Sequence, residues 1–217
     1  MIDSLLRDPL GALQFLILMV PGFLVAVTVH EVAHGWVAER LGDPTARLAG
    51  RLTFNPLPHI DPLGAVAFVL AGFGWARPVP VNARNLQRPV RDMALVAIAG
   101  PLSNFVTAFV GLVLLVLTSR LLVDPFVARP VAGMLQFVYT FNLGLGIFNL
   151  IPLPPLDGGH FLPYFFPRRS WPLLARLEQY GPLTLLLLVF SGATRYFMEP
   201  LRGFLNLLYI SAIRALL

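Results

Sequence analysis

His30-Glu31-Val32-Ala33-His34, closing an uncharged run from Leu10 to Val29, is the stretch on which the reading of this chain turns. On an α-helix the two imidazoles stand at i and i+4, one turn apart on one face, where both can ligate a single metal ion. Glu31 stands beside them, where a carboxylate can take a proton from a metal-activated water. A carboxylate and two imidazoles are costly against lipid, so their place at the end of an apolar helix points to a functional site.

The composition sets the solvent. Of 217 residues, 57% are hydrophobic and 12% are charged, against about 25% charged in a soluble domain. The mean hydropathy is +0.75. These values predict an all-α, polytopic membrane protein. The first apolar run reads as a permanent membrane helix, because its flank (Asp3, Arg7, Asp8) lacks the basic character of a signal peptide. The chain has no cysteine, which excludes disulfides and thiolate metal sites. All 16 basic residues are Arg and the net charge is +5. In a membrane protein this charge reflects positive loops at a lipid surface, and no nucleic-acid partner is expected.

Outward from the motif, the first helix is expected from Gly11 to Leu41, roughly 45 Å long, with a stop at Gly42-Asp43-Pro44. The apolar piece Leu63 to Ala76 is short for a span, and arginines flank it on both sides: Arg40, Arg47 and Arg51, then Arg77, Arg84, Arg88 and Arg91. A re-entrant or interfacial segment keeps both clusters on one side of the membrane. Arg77-Pro78-Val79-Pro80-Val81-Asn82 reads as extended chain, part of a β-hairpin and an edge for strand addition.

Further spans are expected at Met93–Ser119 and Val131–Ile151, then weaker membrane segments at Pro172–Ser191 and Leu201–Leu217. Between the two groups, Leu150 to Gly159 is broken by three prolines and two glycines. The organisation is one membrane domain, 1–217, with a core at about 10–160 and C-terminal segments at about 170–217. The arginine map puts the His30/His34 end of the first helix and Asp157 on the same, cytoplasmic side.

A zinc ion held by two His takes a third protein ligand. Glu39, Asp61, Asp92 and Asp157 are the carboxylates near apolar segments. Asp157 is favoured because irregular backbone at membrane depth is tolerated where it lines a cavity; spacing alone leaves the others open. Each residue also has a plainer reading. Asp157 and Asp61 can cap helices, Asn104 can join two helices, and Asn142 and Asn149 can pack or order Asp157. His59 can serve a turn or act as a fourth or gating ligand, and His160 can support Asp157 from behind. A rival class, a small zinc transporter or channel, would more often show paired halves, and no internal repeat is present.

Four motifs in order carry a family resemblance. They are His30-Glu31-Val32-Ala33-His34; Asn55-Pro-Leu-Pro-His-Ile-Asp-Pro62; Gly100-Pro-Leu-Ser-Asn104; and Asn149-Leu-Ile-Pro-Leu-Pro-Pro-Leu-Asp-Gly-Gly159. Across residues 20 to 160 the chain resembles the site-2 protease family of intramembrane zinc metalloproteases, in a minimal form without PDZ or CBS domains. The resemblance implies a three-helix catalytic core and one zinc ion on His30, His34 and Asp157. It implies Glu31 as general base and Asn104 as a donor to substrate or oxyanion. It also implies single-span membrane proteins as substrates, often cut first by another protease. The setting expected is a bacterial or archaeal cell membrane, with the site toward the cytoplasm and lipid around it.

Overall fold

The computed structural model describes residues 7–71 and 74–216. Among the described residues the α-helices in chain order are α1 (Pro9–Arg40), α2 (Thr45–Leu48), α3 (Pro62–Ala71), α4 (Pro89–Leu121), α5 (Pro125–Asn149), α6 (Leu162–Phe165), α7 (Trp171–Phe190) and α8 (Thr194–Leu216). Four helical stretches among them, in α1, α4, α5 and residues 168–190, are long and apolar enough to cross a membrane. The chain is an integral membrane protein. The spans start and stop within a few residues of the expected bounds, except that α5 begins at Pro125 and α8 at Thr194. Capping explains the first: the Asp124 side chain accepts from the Phe126 N–H, so the helix starts well before the apolar run.

α1, α4 and α5 pack against one another as the core. Lipid is as apolar as leucine, so burial does not drive their contact; close backbone approach and polar bonds do. A Cβ on Gly22 of α1 would lie 2.7 Å from the carbonyl carbon of Phe137 in α5, and one on Gly146 of α5 would lie 2.7 Å from the Phe105 ring of α4. Large apolar side chains such as Leu13, Ile17, Val106 and Val110 stay exposed and face outward.

α3 is the re-entrant piece. Asp61 caps it, accepting from the Gly64 N–H at 2.9 Å. Phe68 stacks on Phe23 of α1 with ring centroids 3.9 Å apart, roughly 27 Å along the helix from Leu41. The chain then turns back: a Cβ on Gly64 would lie 2.1 Å from the Trp75 carbonyl oxygen. Ile60 pairs antiparallel with Ala76. The expected β-hairpin is reduced to that single bridge among the described residues, because Pro78 and Pro80 have no N–H with which to continue a ladder.

The C-terminal helices sit differently. α8 packs on α4 and α5 through Tyr209, which is buried with Ala108, Leu143 and Ile147 and donates to the Phe105 carbonyl at 2.8 Å. α7 rests on the broken segment after α5: Leu185 and Leu188 cover Ile151, Leu153 and Leu156. A Cβ on Gly181 would lie 2.1 Å from the Pro154 carbonyl oxygen.

Candidate metal centre

Three residues from two elements converge at one point. α1 supplies His30 and His34; a 3-10 turn, Asp157–Phe161, supplies Asp157. The side chains are 7%, 11% and 17% exposed, and ligand atoms of all three lie within 4.8 Å of one another. The turn can approach because Gly158 and Gly159 have no side chains. A Cβ on Gly158 would lie 2.2 Å from the Ile151 carbonyl oxygen, and one on Gly159 would lie 2.6 Å from the Pro154 nitrogen.

Hydrogen bonding decides which ring nitrogens face the centre. His30 Nδ1 is 2.6 Å from Asn104 Oδ1, and His34 Nδ1 is 2.8 Å from the Val96 carbonyl, both on α4. Asn104 Nδ2 donates to the Ala26 carbonyl at 2.9 Å and to Asn142 Oδ1 at 2.8 Å, so its oxygen faces the histidine. Both Nδ1 atoms must therefore donate, which leaves lone pairs on both Nε2 atoms.

Those Nε2 atoms lie 3.0 Å apart, and they are 3.0 and 3.3 Å from Asp157 Oδ2. With both rings neutral and donating through Nδ1, no proton lies between these atoms, and Asp157 Oδ2 is a buried atom without a partner. Protonating both rings would only set two N–H groups against each other. Three converging acceptors call for a single shared proton or a cation between them, and the donor set of two imidazoles and a carboxylate fits a metal ion. Gly100 completes the cradle. A Cβ there would lie 2.5 Å from His34 Nε2 and 2.6 Å from His30 Cε1.

Glu31 is buried on the next face of α1, and its Oε2 accepts from the Val79 N–H at 2.7 Å. Asn104 is brought to the site in a different part from the one expected. Both of its N–H groups are engaged and it is fully buried, so it has no donor left for an oxyanion; its geometry is that of a residue orienting His30. Residue type could not reveal this, because an amide both donates and accepts.

His59 is fully buried and lies outside the three-ligand group, with Nε2 at 2.9 Å from the Thr53 carbonyl, which suits the turn reading. His160 is exposed and has no hydrogen bond among the described residues, so it does not support Asp157 from behind. Asp92 accepts from the Arg88 N–H, Glu39 pairs with Arg47, and Asn149 bonds within its own helix. The helix-joining reading of Asn104 holds, since it bonds Ala26 of α1 and Asn142 of α5, but sequence reasoning missed the second layer: its hold on His30, the Val96 carbonyl and the Val79 N–H. Asn142 carried a signal, being polar inside an apolar span.

The model of Peptidase family M50 matches residues 18–129 and 124–191 of the chain. A relative in Bacillus subtilis, "Putative zinc metalloprotease YwhC", is 40% identical over 202 residues, covering 92% of this chain and 90% of the relative. "Putative zinc metalloprotease Rip2" of Mycolicibacterium smegmatis is 31% identical over 214 residues, covering 94% of this chain and 79% of that protein. Rip2 of Mycobacterium tuberculosis is 30% identical over 191 residues, covering 86% and 71%. No solved structure matches the chain. With the match extending over the motif helix, both other core helices and the Asp157 turn, the chain belongs to peptidase family M50, the site-2 protease family.

Proposed function

We propose that this chain is a zinc-dependent endopeptidase that cuts a peptide bond within or beside the membrane. The observation that carries the reading is the convergence of three potential ligand atoms, His30 Nε2, His34 Nε2 and Asp157 Oδ2, between apolar helices and next to a carboxylate. The relatives' printed names, zinc metalloproteases, support zinc as the ion. Zinc held by these atoms would polarise the scissile carbonyl and bring the pKa of a water to about 7.

The chain's own residues then divide the work. Asn104 and the Val96 carbonyl fix the two rings in the tautomer that presents Nε2. Glu31 accepts the attacking water's proton and returns it to the leaving amine. The apolar walls of α1 and α4 receive an apolar substrate segment. A helical peptide hides its carbonyls in i to i−4 bonds, so the substrate is unwound at the cut.

The apolar walls support single-span membrane proteins as the proposed substrates, with an upstream protease acting first as part of the same proposal. The cytoplasmic assignment rests on charge. The site's end of the bundle carries Arg40, Arg47, Arg51, Arg77, Arg84, Arg88 and Arg91, whereas the loop joining α4 to α5 carries only Arg120 nearby and Arg129 beyond it.

The test is Glu31→Gln in the full chain, reconstituted in lipid with a single-span reporter. Zinc content should stay at the wild-type level while cleavage falls by about 1,000-fold or more, of the order set by losing a general base. Equal cleavage by both forms would sink the hydrolytic mechanism and favour a zinc-conducting protein.

A further inference from the structure

We propose that residues 77–82 form a strap that positions Glu31, with the Val79 N–H as its working atom; this rests on the proteolytic reading above. The strap is laid along the cytoplasmic end of α1 and is pinned at three places. At its start, the Arg77 N–H donates to the His59 carbonyl at 2.9 Å, and its C=O accepts from the Arg51 guanidinium at 2.5 Å. At its centre, the Val79 N–H donates to Glu31 Oε2. At its end, the Asn82 N–H donates to Asp43 Oδ2 at 2.6 Å, while Asn85 Nδ2 and the Thr45 N–H serve Oδ1. Burial alone would push the Asp43 carboxyl up, but the donors from Thr45, Asn85 and Asn82 outweigh it and hold it below the ordinary value.

The sequence makes this strap stiff. Prolines on both sides of Val79 fix their own φ near −65° and hold residues 77 and 79 extended, so the one N–H between them has a set direction. The Val79 side chain is buried on α1, where Gly35 makes room. A Cβ at Gly35 would lie 3.1 Å from Val79 Cγ1. Gly35 is four residues beyond Glu31, on the same face, so the packing contact and the hydrogen bond share one register.

The contact takes one carboxylate oxygen and leaves the other. Glu31 Oε1 has no protein hydrogen bond among the described residues and is not an orphaned buried atom. A backbone donor holding Oε2 therefore fixes the rotamer of Glu31 while Oε1 stays open to water, which is what a general base needs. Buried Arg51 acts at one remove: it holds the strap through Arg77 and attracts the Glu31 carboxylate. Both are positioning residues; neither touches substrate.

Val79→Pro removes the N–H in a segment already shaped for proline, and Val79→Ala keeps the N–H while removing side-chain packing. Against Val79→Ala, kcat of Val79→Pro should fall about 30- to 100-fold, as for a reacting group displaced by about 1 Å. KM and zinc content should stay within about threefold. Should Val79→Pro fail to fold, Arg51→Ala should lose kcat in the same way and Arg51→Lys, which keeps one donor for the Arg77 carbonyl, should recover part of it.

A readout independent of turnover is hydrogen exchange at the Val79 amide, protected in the wild type and at least 10-fold faster in Glu31→Ala. Equal kcat for Val79→Pro and Val79→Ala, or a gain in the proline form, would overturn the proposal, as would unchanged exchange in Glu31→Ala. A wild type that fails to cleave while its Val79 amide keeps this dependence on Glu31 would count against proteolysis alone, and the strap contact would stand.

Discussion

In the α1–α4–α5 core, backbones meet at glycine, and one polar chain runs from the Val138 carbonyl through Asn142 and Asn104 to His30. α8 touches the rest of the molecule by side chains, mainly through Tyr209, whereas α7 meets the 151–156 turn both by leucines and by the close approach of Gly181 to the Pro154 carbonyl. Two kinds of tolerance follow. A metal centre needs ligand placement to a few tenths of an ångström, which close backbones and satisfied amides provide. A helix held by side chains away from the ligands, as α8 is, can shift further before it moves a ligand.

The sharpest way to break this contrast is Gly100→Ala. The added methyl has no flexible neighbour to displace, since the atoms it meets are the imidazoles themselves. Zinc affinity should fall by more than about 100-fold, beyond the 10- to 100-fold typical of losing an outer partner, as measured by competition with a chromophoric chelator. Affinity within threefold of wild type would mean that the core gives more readily than its close backbone contacts imply.

Asn104→Ala probes the same core one layer out. It frees the His30 ring and leaves the Ala26 carbonyl and Asn142 Oδ1 without their donor. Zinc affinity should drop about 10- to 100-fold with the ligands all present. An unchanged affinity together with lost turnover would return the residue to the oxyanion role.

The smallest effect belongs to the periphery. Tyr209→Phe removes only the hydroxyl that donates to the Phe105 carbonyl, so unfolding in detergent should become easier by about 0.6 kcal/mol, the average for an interhelical hydrogen bond in a membrane protein. Zinc affinity should not move. A loss of zinc in this variant would show that α8 is coupled to the ligands and erase the contrast.

The spans and the ligands were legible in the sequence for one reason: their signals are local. Twenty uncharged residues report lipid, and i, i+4 imidazoles report a shared face. Asp157 was readable because prolines and glycines mark backbone that cannot be helical. The second layer was not, since the Val79 N–H lies 48 residues from Glu31 and a backbone donor has no sequence signature. α7 shows another limit. Its hydropathy permits a crossing, but hydropathy describes the solvent a segment prefers and not its neighbour, which is the Pro154 turn.

Pro78 and Pro80 have a further consequence. Side by side with Val79, they give the exposed edge of the strap carbonyl oxygens and no N–H at two successive alternate positions. Such an edge cannot template a full ladder with an identical edge, because neither partner brings the donors. In a crowded membrane surface this one-sided edge protects the protein from sticking to its own copies, and it does so with the residues that hold the base in place.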